Sequence, residues 1–316
     1  MTASPDVAVH WELGSDRPRE DYGFFGPDSP TWKVWSSPTA LIGFQRSVVL
    51  EHFEPHLAAA VADSAGIYRD PRGRMDGTLA YFLIVATADS RTAVEASEHL
   101  QKVHARSKGI DPVTGKRYSA NDPASQLWIH VTGWHSVLKC YEMFGPGPLS
   151  QAEENRYWSE CVTAAELQTV NPADVPRSRD EVREYFAQMR PTLCTSERAQ
   201  QAMHYLLRTP RSGSNLRFWA VSRLMAPATI ATLPRWMREL GQFDQPGIVD
   251  VAYRPLVSAA MSVASVPAIE DSVARFAKLP MTATTLRDFH AAKAPVRTVT
   301  VTPAEAKERY GRRATA

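Results

Sequence analysis

Between Asp89 and Phe144, the order of hydrophobic and polar residues predicts two amphipathic helices joined by a polar loop. Asp89 and Ser90 are candidate N-caps of the first helix, and Gly109 is its expected end, because helices commonly close at glycine. His104 lies eleven residues after Ala93, about three helical turns on, so it shares a face with apolar residues. Those residues are Ala93, Ala96, Leu100 and Val103. The pattern therefore predicts that His104 points inward.

The second helix is predicted to begin at Asp122-Pro123, where an N-cap residue precedes a proline in the first turn. It is expected to stop at Gly145-Pro146. His130 lies one turn from two apolar residues, at the edge of the buried stripe. That stripe consists of Leu127, Val131, Trp134, Leu138 and Tyr141.

Helical patterns also dominate the rest of the chain. Leu79–Ala88 is apolar on nearly every side, which predicts a central buried helix after a charged turn over 68–78. Only Arg297–Val301 has the β-branched character of a strand. The sequence therefore predicts an all-α fold: one helical domain over 29–295, a loosely packed arm over 1–28 and a mobile basic tail over 296–316.

Composition and charge restrict the class of protein. The 316 residues are 44% hydrophobic and 22% charged with a net charge of +2, which gives no basic surface for nucleic acid. The three cysteines, widely spaced, form neither a disulfide framework nor a Cys-x-x-Cys metal site. No signal peptide is recognisable, and the longest apolar run, Leu79–Ala86, is too short to span a membrane. We expect a soluble cytoplasmic protein.

Several common catalytic motifs are missing from the sequence. It contains no Gly-x-Gly-x-x-Gly, no Walker A loop and no Gly-x-Ser-x-Gly elbow. It also contains neither His-Glu-x-x-His nor the paired Glu-x-x-His of helical diiron proteins. The remaining candidates are the two histidines, His104 and His130, for which a structural role as neutral core imidazoles is the ordinary alternative.

Five fragments in a fixed order carry a resemblance to a known family. They are LAAAVADS (Leu57–Ser64), DPRGRMDGT (Asp70–Thr78), VHARSKG (Val103–Gly109), GKRYSANDP (Gly115–Pro123) and LWIHVT (Leu127–Thr132). Each fragment alone is weak, but their joint order and spacing are specific. From about residue 26 to about residue 240 the chain resembles the DUF2236 family, also called the MpaB/rubber oxygenase catalytic domain, which includes latex clearing protein.

The resemblance implies a helical enzyme that binds haem b and uses dioxygen on a small apolar, often isoprenoid, substrate. In the family an Arg-x-x-x-Thr pair precedes the helix that carries the axial histidine. Arg74 and Thr78 match that pair, which implies catalytic and cofactor-binding roles for both. His104 matches the iron ligand, and His130, a second recurrent histidine, is the alternative ligand.

One departure from the family pattern affects the substrate. Latex-cleaving members have a lysine immediately before the threonine, where this chain has Gly77. Rubber cleavage is therefore not the expected reaction. Two functions stay open at this point: a haem-dependent oxygenase, and a non-catalytic helical protein of the same fold that binds an apolar ligand.

Overall fold

The computed structural model describes residues 17–64, 66–211, 216–291 and 293–311. These residues are mostly helical, as predicted, and include one two-stranded antiparallel sheet. The helices are α1 (Pro30–Trp35), α2 (Thr39–Glu51), α3 (Pro55–Ser64), α4 (Gly66–Arg69), α5 (Pro71–Thr87), α6 (Ser90–His104), α7 (Pro123–Phe144), α8 (Gln151–Ala165), α9 (Arg179–Met189), α10 (Glu197–Leu207), α11 (Leu216–Ala231), α12 (Arg235–Leu240), α13 (Gly247–Ala264), α14 (Pro267–Phe276), α15 (Pro280–His290) and α16 (Pro303–Tyr310). The strands are β1 (Lys108–Ile110) and β2 (Arg117–Ser119), and two 3₁₀ turns cover Pro172–Asp174 and Arg190–Thr192.

Helix α5 joins the predicted charged turn and the predicted buried helix into one element. It begins at Pro71 because Asp70 caps it, accepting a hydrogen bond of 2.9 Å from the backbone N–H of Gly73. Residues 79–87 are buried without exception, so the prediction of a central buried helix is confirmed. The first two turns of α5 are partly exposed instead, and they carry the polar residues discussed below.

The long helix α7 lies at the centre of the fold and packs closely on α2. Its predicted start and end are confirmed, with Asp122 accepting hydrogen bonds from two backbone N–H groups of the first turn. The α2 and α7 backbones approach closely at Gly43, where a Cβ atom would lie only 2.6 Å from Cα of Val137. Glycine is thus required for this contact, which aligns the C-terminal end of α2 beside the N-terminal half of α7.

The loop between α6 and α7 differs from the prediction. Helix α6 ends at His104 rather than at Gly109, which belongs to strand β1 and pairs with Tyr118 of β2. The hydroxyl of Tyr118 donates a 2.6 Å hydrogen bond to Asp63 of α3. This tertiary contact fixes the hairpin, and no local signal in residues 108–119 indicates it.

Both ends of the described chain pack on the helical domain and on each other. Residues 19–23 run beside 296–301, with a hydrogen bond of 2.9 Å from the Tyr22 N–H to the Val299 carbonyl. Arg297 pairs with the fully buried carboxylate of Asp21 at 3.1 Å. The sequence predicts an arm and a tail here because both segments are polar. In the structure, each segment supplies backbone hydrogen-bond partners to the other.

Helices α13 and α14 form an apolar pair with a bend of 107° between them. In the part of the chain that the structure describes, no single helix is long and apolar enough to cross a membrane. The bent pair α13–α14 meets that test by combined length and composition only.

Candidate functional site

Arg74 and Thr78 lie one turn apart on the exposed start of α5. The hydroxyl of Thr78 donates a 2.9 Å hydrogen bond to the Arg74 carbonyl, as expected within a helix. Arg74 is exposed and Thr78 is half-buried. The two side chains therefore project from neighbouring positions of one helical surface, which the predicted pairing requires.

His104 is the last residue of α6 and is only partly buried. The predicted inward face is wrong at this end, because Val103 is 39% exposed and both sequence neighbours of His104 are exposed. The helix projects beyond the core in its last turn. His104 is nevertheless held: its Nδ1 lies 3.4 Å from the amide nitrogen of Gln126, and the Asn121 side chain also hydrogen-bonds to it.

The structure brings Arg74 and His104 close enough to interact electrostatically. Burial and, to a lesser extent, the positive charge of Arg74 lower the pKa of His104 to about 4, against the opposing effect of the hydrogen bond with Asn121. The imidazole is therefore neutral at neutral pH. A neutral imidazole beside a cation can bind a metal or donate one ring proton.

Two residues at the end of α2, Glu51 and His52, belong to the same group, although the sequence analysis missed them. Burial lowers the pKa of His52 to about 4, a hydrogen bond to Val48 opposes this, and the charge of Arg74 adds to the lowering. Burial raises the pKa of Glu51 to about 7, although Arg74 acts in the opposite direction. We call Glu51, His52, Arg74 and His104 the Arg74 cluster.

His52 has one ring nitrogen available. Its Nδ1 lies 2.7 Å from the Val48 carbonyl and donates to it, so Nε2 carries the lone pair. Nε2 is buried and has no hydrogen-bond partner among the described residues. The one sequence signal for this position is a polar pair, Glu51-His52, between Leu50 and Phe53, which are both fully buried.

His130 lies elsewhere, in the core between α7 and α8. It is fully buried, and its Nε2 donates a 2.8 Å hydrogen bond to the Cys161 carbonyl. Burial lowers its pKa to about 4, the bond to Cys161 opposes this, and no charged residue contributes. The ring also contacts Trp134, with ring centroids 5.8 Å apart. His130 therefore does not join the Arg74 cluster, and its environment is that of a packed core imidazole.

The Arg74 cluster combines three chemical capacities on residues that the charge of Arg74 links electrostatically. It offers neutral imidazoles, a guanidinium that can bind an anion, and a carboxyl that exchanges its proton near pH 7. Among the described residues, no three His, Cys, Asp or Glu side chains converge to hold a metal ion.

Comparison with known proteins gives one match. The family model described as "ER-bound oxygenase mpaB/B'/Rubber oxygenase, catalytic domain" matches residues 32–265, more than half of the chain. No curated protein and no solved structure matches the chain. The matched segment contains the whole Arg74 cluster and His130, and it ends before α14.

Proposed function

Since the chain belongs to the mpaB/rubber oxygenase catalytic-domain family, we propose that it is a haem b-dependent oxygenase acting with dioxygen on a small apolar substrate. The observation that supports this most strongly is the neutral imidazole of His104 beside Arg74, on the two helices that the family pattern pairs. When bound, haem supplies the redox chemistry that activation of dioxygen needs.

The residues of the Arg74 cluster fit the requirements of haem. A histidine that binds haem iron must be neutral, and the pKa of about 4 keeps His104 neutral throughout the physiological range. The guanidinium of Arg74 suits a propionate carboxylate, for which arginine is the preferred partner. We assign Thr78, one turn further along α5, to the same cofactor contact.

His104 and His52 differ in how ready each ring is to bind iron. The amides of Gln126 and Asn121 both contact His104, and the Gln126 contact is made to Nδ1. The Nε2 lone pair of His52 has no partner to displace within the described residues. We keep His104 as the proposed axial ligand because of its family position, and His52 is the alternative from the same cluster.

Glu51 is placed to handle protons. Its pKa of about 7 lets the carboxyl group take up or release a proton at neutral pH, and Arg74 stabilises the charged form. We propose that Glu51 exchanges protons with the solvent during turnover, while Arg74 holds the cofactor.

Absorption spectroscopy of the purified protein, produced with a haem precursor, tests the proposal. We expect a Soret band in the wild-type protein and its loss in His104→Ala, whereas His130→Ala that folds should keep it. Loss in His52→Ala with retention in His104→Ala would move the axial ligand to α2. A wild-type protein that takes up no haem under these conditions contradicts the oxygenase function.

A further inference from the structure

A cleft with a cavity volume of about 80 Å³ lies between α1, α2, α5, α13, α14 and α15. None of the four residues of the Arg74 cluster lines it. Helices α14 and α15, which form one wall, lie beyond the segment that matches the family. The cleft is therefore a feature of this chain that the family match does not assign.

The wall of the cleft is almost entirely apolar. Trp35, Leu41 and Leu83 represent the side contributed by the family domain, and Leu286 the side contributed by α15. Val273 of α14 also lines the cleft and is 39% exposed, so the cleft opens to solvent beside it. Contact with such a surface favours a ligand that is mainly hydrocarbon.

Thr282 is an unsatisfied polar group in this apolar wall. Its side chain lines the cleft, the residue is only 4% exposed, and Oγ1 has no hydrogen-bond partner among the described residues. Its backbone is fixed, because the carboxylate of Asp76 accepts hydrogen bonds from the N–H groups of Met281 and Thr282 at 2.9 and 2.8 Å. A buried hydroxyl without a partner is costly, and a ligand oxygen would satisfy it.

Glu270 makes the cleft unfavourable for a negatively charged ligand. This buried residue lines the cleft, and one carboxylate oxygen lies 2.7 Å from Nε2 of His290. Burial raises the pKa of Glu270, and His290 opposes that shift. A ligand carboxylate entering the same apolar space would be desolvated beside an acidic group, so a neutral ligand is favoured.

We propose that the cleft between α5, α14 and α15 binds a neutral, mainly apolar molecule with one hydroxyl or carbonyl group, whose oxygen hydrogen-bonds to Thr282 Oγ1. The binding site does not depend on haem uptake by the Arg74 cluster. Binding and the haem spectrum are therefore independent measurements, and either can fail alone.

Fluorescence titration with N-phenyl-1-naphthylamine, followed by displacement with dodecan-1-ol or dodecanoate, tests the site on the full chain. We expect saturable probe binding and displacement by the alcohol at lower concentration than by the acid. Thr282→Val should weaken the alcohol roughly three- to tenfold, the size of one net hydrogen bond, and leave probe affinity unchanged. Thr285→Val is the matched control, because its buried hydroxyl on the same helix already bonds to the Met281 carbonyl and lies outside the cleft.

Two further variants locate the probe. Ala274→Phe fills the cleft, and Val273→Glu places a charge at its exposed edge, where folding tolerates it; both should abolish probe binding. Unchanged binding in Val273→Glu places the probe elsewhere and overturns the site. Absence of saturable binding by the wild-type protein does the same. Equal alcohol affinities in Thr282→Val and Thr285→Val overturn the role of the hydroxyl.

Discussion

His104 and His130 have nearly the same pKa, about 4, in two different environments. Around His130 the cause is burial, which the hydrogen bond with the Cys161 carbonyl partly offsets, and no charged residue contributes. Around His104 burial acts together with the charge of Arg74, at a helix end that reaches the surface. A lowered histidine pKa therefore does not distinguish a core residue from a functional one. The charge of Arg74 is what differs between the surroundings of these two histidines.

Replacing His104 or His130 with alanine should give the largest difference in stability between the two environments. We expect His130→Ala to lower the free energy of unfolding by about 3 kcal/mol, since it leaves a cavity in the packed core. His104→Ala should cost about 1 kcal/mol or less, because the residue is at a partly exposed helix end. Urea denaturation at pH 7 measures both. Equal losses would place His104 in the core as well.

Acid should destabilise the protein through its neutral histidines. Between pH 6.5 and about pH 4 the unfolded chain binds protons that the folded protein excludes from His52, His104 and His130. The free energy of unfolding is therefore unaffected by these histidines above pH 6.5. Below that pH it decreases as the pH falls, by about 1.4 kcal/mol per pH unit for each histidine.

Urea denaturation between pH 7 and pH 5 tests this dependence, and Glu51→Gln provides the control. Glu51 acts in the opposite direction, because its raised pKa of about 7 favours the folded state at lower pH. Removing its titration should therefore steepen the loss. A stability that does not change across this interval would contradict the neutral histidines.

Removing the charge of Arg74 should affect one histidine of the pair. In Arg74→Gln we expect the pKa of His104 to rise from about 4 towards 6.5, because one of the two causes that lower it is gone. His130 should not change. Histidine resonances followed by NMR during a pH titration measure both, and Arg74→Lys is the charge-preserving control. Equal shifts of the two histidines would mean that Arg74 acts through the fold.

The smallest expected changes in stability come from replacing two glycines, Gly77 near Arg74 and Gly43 in the packed core. Gly77 lies within α5 near Arg74, and a Cβ there would meet nothing within 4 Å, so Gly77→Ala should stabilise by about 1 kcal/mol. Gly43 touches the backbone of α7, so Gly43→Ala should destabilise. Thermal denaturation compares them. A gain at both positions would contradict the close packing of α2 on α7.

Sequence alone determined the elements whose signals are local. The all-α class, the family, the limits of α7 and the buried part of α5 all follow from periodicity, N-caps and residue order, and each is confirmed. These features depend on contacts between residues a few positions apart. The roles of Arg74, Thr78, His104 and His130 remain predictions, since none of them depends on local pattern alone.

Only the tertiary structure decided which polar residues meet. The charge of Arg74 acts on Glu51 and His52, which belong to a separate segment of the chain, and neither this proximity nor the contact of α2 with α7 at Gly43 has a local signature. Val103 follows the apolar periodicity of α6 but is exposed, because the last turn of α6 extends past the edge of the hydrophobic core. Asp76 caps α15, more than 200 residues later in the chain, and thereby fixes Thr282 in the cleft. Periodicity specifies a face of a helix, whereas packing decides what that face contacts.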